Sequence, residues 1–351
     1  MMSQRGLPPQ LPPVQPLDRA LESILRARID GKAKPPGSLG RIEDLAIRLG
    51  MIWHPSEPRA GKSVLLVFAG DHGLTEEGVS QYPSEVTAAM VRTFLAGRAS
   101  ANAFAAAAGV DIRVVDIGVA ADLPDHHDLI QAKIRGGTRN AAREPAMSPD
   151  EAATALRRGC DLAVEEIRGG ADIIAIGEMG IGNTASAALL VHRLAPAALD
   201  LCIGLGAGQD NAGLARKRAA LERAAARCEV TAPFEVLREF GGLEIAGMAG
   251  AVIGAASEGR PVIVDGFISS AAALVAIRLC PAVRDYCIFA HRSSERGHAI
   301  LLDALDATPL LDLALRLGEG TGAVLAVPLV RAAARLLCDV ATLDDVLSGQ
   351  I

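Results

Sequence analysis

The sequence predicts an α/β protein built on a doubly wound parallel sheet, and three observations predict it. Short apolar runs recur along the chain, helical segments separate them, and each run ends in a turn loaded with glycine and polar residues. Strand, turn and helix in repetition is the pattern of a parallel sheet covered by helices on both faces. In open sheets of this kind ligands bind at the carboxyl ends of the strands, where these turns fall. A chain of 351 residues is long enough for one large α/β domain and an appendage.

In chain order, residues 1–16 are rich in proline and glutamine and are expected to be disordered; they lack the apolar segment of a signal peptide. Leu17, Leu21, Ile24 and Leu25 have helical spacing. Lys34-Pro35-Pro36-Gly37-Ser38-Leu39-Gly40-Arg41 then makes a rigid turn, with Ser38 as a cap for a helix over 42–49. The basic Lys34 and Arg41 leave phosphate or partner contact open there. Strands are predicted at 63–69, 112–117, 172–176, 261–264 and 286–290. Helices are predicted at 84–108, 149–168, 184–193, 213–226, 243–257, 269–279 and 295–304.

Composition excludes several functions. The formal charge is −6, aromatics are 3%, and no long Lys/Arg block exists, so neither a polyanion surface nor a base-stacking platform is expected. No uninterrupted apolar run of transmembrane length stands out, so no membrane partner is expected. The six cysteines form no C-x-x-C pair and read as free thiols of a cytoplasmic protein.

The turns carry the chemistry. Near the C-terminus, Leu315-Arg316-Leu317-Gly318-Glu319-Gly320-Thr321-Gly322-Ala323 sets one carboxylate among three glycines. Glycine strips away local side chains, so a ligand can approach the backbone and the Glu closely. The plainer reading is a helix ending at Gly318 and another capped near Thr321. After the third strand, Gly177-Glu178-Met179-Gly180-Ile181-Gly182-Asn183-Thr184 has nucleotide-loop glycines in G-x-x-G-x-G spacing, which is not the dinucleotide fingerprint. The acid inside that loop would repel a pyrophosphate, which disfavours a nicotinamide dehydrogenase. Asn183 and Thr184 at a helix start suit a single phosphate held by backbone N–H groups, or Asn183 simply caps the turn. Lys217 reads either as a ligand contact or as a solvated helix lysine. Ser293 and Ser294 read either as phosphate donors or as helix caps. His72 and His291 follow strands, but no ligand cluster for zinc is visible. No G-x-S-x-G elbow or Walker loop occurs. A cleft of carboxylates, backbone donors and one or two cations remains, suited to metal-free group transfer with no cofactor.

Together these segments resemble the nicotinate-nucleotide–dimethylbenzimidazole phosphoribosyltransferase family. The matching stretches are KPPGSLGRIEDLA at 34–46, FAGDHGLTEEGVSQYPSEVT at 68–87, VVDIGV at 114–119 and IGEMGIGNT at 176–184. GLARK at 213–217, FGGLEIAGMAGA at 240–251, DGFISSAAALVA at 265–276, HRSSERGH at 291–298 and LGEGTGA at 317–323 continue the series in unbroken order. Two stretches depart from the pattern: GLGAGQDN at 204–211 stands where an Arg-Gly-Thr-Gly type of run is usual, and Ser269-Ser270 replaces an apolar residue and Thr or Gly.

The resemblance implies transfer of the 5-phosphoribosyl group from nicotinate mononucleotide to 5,6-dimethylbenzimidazole, in cobalamin assembly. It implies Glu319 as general base on the benzimidazole and Glu178 as a carboxylate stabilising the oxocarbenium-like centre. Gly180, Gly182, Lys217, Ser293 and Ser294 would hold the 5′-phosphate, beside Asn183. Ser80, Tyr82, Pro83, Val86, Met90 and Leu317 would wall the aromatic base. The implied architecture is a Rossmann-like sheet in a large domain, 61–304, plus a small helical domain from both chain ends, 17–60 and 305–351, working as a homodimer. Two alternatives stand beside it: the same transfer to a phenol, adenine or another benzimidazole, and a non-catalytic nucleotide-binding protein.

Overall fold

A computed structural model describes residues 10–53, 60–204, 206 and 210–349. Six parallel strands form one sheet: β1 (Ser63–Gly70), β2 (Asp111–Gly118), β3 (Leu129–Gln131), β4 (Ile173–Met179), β5 (Val262–Val264) and β6 (Cys287–Phe289). Their order is β3-β2-β1-β4-β5-β6, so the chain reverses direction across the sheet between β1 and β4, where a crevice opens. All five predicted strands form. The sixth, β3, lacks a sequence signal because it is a three-residue edge strand after Pro124-Asp125-His126.

The helices are α1 (Leu21–Asp30), α2 (Arg41–Trp53), α3 (Glu85–Leu95), α4 (Ser100–Ala108), α5 (Pro149–Arg168), α6 (Asn183–Leu194) and α7 (Leu199–Cys202). They continue as α8 (Asn211–Arg227), α9 (Pro233–Phe240), α10 (Leu243–Ser257), α11 (Phe267–Leu279), α12 (Arg296–Ala304), α13 (Thr321–Cys338) and α14 (Leu343–Leu347). The single helix expected over 84–108 is two, because Gly97 takes a left-handed conformation between α3 and α4. Ser38 lies outside α2 and does not cap it; the Glu43 carboxylate instead accepts the Leu39 N–H at 3.0 Å. No helix ends at Gly318: residues 312–318 form no regular element, and α13 starts at Thr321 after Gly320.

Side chains alternate across β1, and the two faces receive different helices. Phe68 meets α10 at Gly247, whereas Leu65 on the opposite face meets the start of α13 at Gly320. All eight residues of β1 are buried, as a strand covered on both faces requires. Against α10 lies α5, so close that a Cβ at Gly159 would collide with the Gly247 carbonyl. Neither backbone can yield without moving its helix. Gly159→Ala is therefore expected to cost about 1–3 kcal/mol or more of stability, read as a lowered urea midpoint; an unchanged midpoint would refute this packing.

Helix α13 has the length and mean hydropathy (1.5) of a membrane span, but 61% of it is buried inside the fold. It packs on β4, β5, α2 and α4, so its apolar character is used in the core. Of the start expected to be disordered, residues 1–9 lie outside the described residues. Within 10–16, Val14 is buried and the Tyr286 hydroxyl donates to the Gln15 carbonyl at 2.8 Å, so this part is packed rather than loose.

Candidate active site

A cavity of about 460 Å³ opens beyond the carboxyl ends of β1, β4, β5 and β6. The parallel register sets Glu178 on β4 level with Phe68 on β1, which brings Glu178 to the strand end beside the crevice. Asp265 follows β5, His291 follows β6, and the loop before α13 brings Glu319 over them. With Glu295 just ahead of α12, four carboxylates thus line one enclosure.

The glycines of the Glu319 loop serve contact between protein segments. A Cβ at Gly318 would collide with the Glu178 carboxylate, and one at Gly322 with the His291 ring. Without side chains there, the loop lies directly on the strand ends. Glu319 itself has φ 64°, between Gly318 at 88° and Gly320 at 79°. A left-handed backbone costs a non-glycine residue about 1 kcal/mol. Tight bonding holds it: the Thr321 N–H (3.1 Å) and hydroxyl (2.7 Å) both donate to the Gly318 carbonyl. The Asp265 carboxylate accepts the N–H groups of Gly320 (3.2 Å) and Ala323 (2.9 Å).

Burial and neighbouring charge tune the acids. Burial pushes the Glu178 carboxyl up to about 8, the Asp265 charge adds to this, and the Asn183 amide donating to Glu178 only partly offsets it. At neutral pH Glu178 is mostly protonated. Burial also raises the Glu319 carboxyl, against one long bond from the Ala101 N–H on α4 at 3.4 Å. Burial opposes charge on the His291 ring, but Asp265, 3.5 Å away, outweighs it and the imidazole pKa is raised.

Behind the Gly180–Gly182 turn lies a buried pin. His72 meets Glu244 at 2.7 Å and Ser186 at 3.0 Å, tying the end of β1 to α10 and α6. Burial opposes its charge, yet the Glu244 carboxylate raises its pKa.

Of the residues expected in the site, Glu319, Glu178, Gly180, Gly182, Asn183 and Ser293 line the cavity. So do Ser80, Tyr82, Val86, Met90 and Leu317, toward the half-exposed mouth. Three do not. Lys217 stands behind the wall, buried, its ammonium donating to the Thr184 hydroxyl (2.9 Å) and the Gly204 carbonyl (3.1 Å). Burial lowers its pKa to about 8, opposed by Glu295. Ser294 faces solvent, and its N–H donates to the Leu315 carbonyl at 3.0 Å. Pro83 is exposed and off the lining, because the turn into α3 points it outward. Asn183 is not the cap of α6: Gly182, at φ 95°, takes that position and frees the amide for Glu178. In the 204–211 stretch, residues 205 and 207–209 lie outside the described residues, while Gly206 lines the cavity.

Asp265 has no role assigned by its sequence and His291 only that of a possible zinc ligand, although both fall just after strands, which is the signal that marks them. Among the described residues, one group has metal-ligand spacing, His126, His127 and Asp128; none of them lines the cavity, and Asp128 is held by Arg113 at 2.9 Å.

Comparison with known proteins agrees with this architecture. A family model described as Phosphoribosyltransferase matches residues 14–346. Nicotinate-nucleotide–dimethylbenzimidazole phosphoribosyltransferase of Cupriavidus necator is 51% identical over 334 residues, covering 95% of this chain and 96% of that protein. The protein of the same name from Chloroflexus aggregans is 48% identical over 334 residues, covering 95% of each. The crystal structure of CobT from Thermus thermophilus superposes with a TM-score of 0.90 at 45% identity, covering 93% of this chain and 98% of that one. With sequence and fold matched over nearly their whole length, this chain belongs to the nicotinate-nucleotide–dimethylbenzimidazole phosphoribosyltransferase family.

Proposed function

We propose that this chain transfers the 5-phosphoribosyl group of nicotinate mononucleotide to 5,6-dimethylbenzimidazole, giving α-ribazole 5′-phosphate and nicotinate. The observation that carries the proposal is Glu319, a buried carboxylate held in a left-handed loop and facing a cavity of small-molecule size. A protein that only bound a nucleotide would gain nothing from that strain.

In the proposed step, one benzimidazole nitrogen attacks C1′ of the ribose from the face opposite nicotinate. The C1′–N bond breaks with its electron pair passing to the pyridine nitrogen, and Glu319 takes the proton from the second benzimidazole nitrogen. Configuration at C1′ inverts. A carboxyl raised by burial is a better base than a solvated one, which suits proton removal near neutral pH. Glu178 answers the developing positive charge on the ribosyl ring. Neutral before the donor arrives, it does not repel the phosphate, and positive charge on the pyridinium nitrogen and the ribosyl ring makes its ionised form favourable. The open N-terminus of α6, with Gly180, Gly182, Asn183 and Ser293 around it, holds the 5′-phosphate. Lys217 supplies positive charge from behind Thr184. Tyr82, Val86, Met90 and Leu317 close on the flat acceptor, with Ser80 at their edge.

The chain is further proposed to act in the cytoplasm as a homodimer, its two ends, 17–60 and 305–351, forming a small helical domain. Tyr82 and Leu317, 49% and 55% exposed at the mouth, are apolar surface that a second copy would cover. Sedimentation equilibrium tests this; a monomer at micromolar concentration refutes it.

The activity is tested by nicotinate release from purified protein, with and without acceptor. Release should require 5,6-dimethylbenzimidazole, and adenine and phenol should compete poorly. Turnover should fall as pH drops, with a midpoint above the ordinary carboxylate range, because protonating Glu319 removes the base. Preference for adenine or phenol would reassign the acceptor, and absence of release with every acceptor would defeat the transferase reading.

A further inference from the structure

We propose that Asp265 is the positioning residue of the Glu319 loop, acting through the backbone N–H groups of Gly320 and Ala323 rather than on substrate. The inference rests on the base role given to Glu319. Its grounds are the bonds that each acid makes. The Glu319 carboxylate has one long hydrogen bond, from Ala101 N–H at 3.4 Å, so its side chain is not aimed by its own partners. The aim must come from the backbone, and that backbone is left-handed at three consecutive residues, 318, 319 and 320. Such a conformation persists only where the surroundings over-determine it.

Asp265 supplies that constraint. The first-turn N–H groups of a helix lack intrahelical partners, and a side chain at the cap position normally answers one of them. At α13 the cap is Gly320, which has no side chain to offer. The acid after β5 reaches in instead: Oδ2 accepts Gly320 N–H at 3.2 Å and Oδ1 accepts Ala323 N–H at 2.9 Å. A carboxylate at a helix N-terminus also gains from the helix dipole. His291 completes the clamp, with Nε2 3.5 Å from Asp265 Oδ1 and its ring against Gly322, where no side chain could fit. Both Asp265 oxygens are thus engaged by the loop, although the residue also lines the cavity.

The charged and titratable groups that share the cavity with Glu319 are Glu178 from β4, Asp265 after β5, His291 after β6, Glu295 ahead of α12 and Tyr82 before α3, with Arg316 on its own loop. The Asp265 charge raises the Glu319 carboxyl, so an uncharged residue at 265 should move the acid limb of turnover to lower pH.

A double-mutant cycle on the full chain tests the proposal, with kcat and donor KM read from nicotinate release. Asp265→Ala should lower kcat about ten- to a hundredfold, as a misplaced catalytic group does, with donor KM nearly unchanged. Adding Asp265→Ala to Glu319→Gln should bring little further loss, since both changes disable one device. Additive losses, a KM increase accounting for the loss, or undiminished turnover in Asp265→Ala would overturn the positioning role. Full turnover in Glu319→Gln would defeat the base assignment, whatever Asp265→Ala does. Circular dichroism and melting check that Asp265→Ala folds. If it does not, Asp265→Asn, which keeps one acceptor, decides: a reduced kcat with the acid limb moved down supports the role, and an unmoved limb overturns it.

Discussion

Glu319→Gln is expected to lower turnover about a hundredfold to ten-thousandfold, the usual worth of a positioned general base, while donor affinity stays within a fewfold. The amide keeps the size and the acceptor oxygen of the carboxylate, so the Ala101 contact survives and the cavity keeps its shape. What it loses is the ability to take a proton. Stability should not fall, because removing a buried, poorly paired charge relieves desolvation. Nicotinate release at saturating donor and acceptor, beside calorimetric binding of the donor alone, checks both halves. Turnover within a factor of about three of the parent would mean that the acceptor loses its proton elsewhere.

The second expected effect concerns Glu178, where stability and catalysis pull in opposite directions. Its folded pKa is about 8 against an ordinary 4.5, so the folded state binds this proton more tightly than the unfolded state does. By linkage, the stabilisation linked to this proton is fully present below about pH 4.5 and is lost as pH rises through 8. Glu178→Gln carries no such proton. Relative to the parent, the variant should gain stability as pH rises, by on the order of a few kcal/mol at pH 9. Its turnover should drop, on the order of a hundredfold, if the carboxylate answers charge on the ribosyl ring. Urea unfolding at pH 5, 7 and 9 tests the linkage; parallel curves for the two proteins would show that burial does not shift this acid. An acid that weakens the fold when ionised, and is used only when positive charge develops on the ribosyl ring, is what these two measurements would jointly reveal.

Much of the fold was legible because strand and helix are local patterns. The run 63–69 is apolar throughout, as a strand covered on both faces must be, and it became β1 with one residue added. The long apolar helices α10 and α11 were placed within two residues by the same reasoning. Failures fell where local pattern is thin. Three residues of β3 carry too few side chains to show a period. Gly97 breaks the 84–108 helix by backbone conformation, which an alanine-rich stretch does not announce. Ser38 met the rule for a cap, but the turn after it places the helix start at Arg41.

The site was legible to a different depth. Turns loaded with Glu178, Asn183, Ser293 and Glu319 could be recognised one by one, and the rule that ligands sit at strand ends placed them in one crevice. Their pairings could not be read. Asp265 and Gly320 are 55 residues apart, and nothing in either stretch names the other. Lys217 was expected to meet a ligand directly, yet the packing of α8 against α6 sets it behind Thr184.

By itself the sequence determined where five of the six described strands lie, where the polar turns fall and, through its motifs, the family to which the chain belongs. Those properties follow from hydrophobic period and turn chemistry, which act over a few neighbouring residues. Only the tertiary structure decided that the glycines around Glu319 make room for Glu178 and His291, that burial raises the Glu178 pKa, and that Asp265 bonds the loop. Each of these depends on distance and burial between segments remote in the chain, and desolvation and close contact exist only once those segments have met.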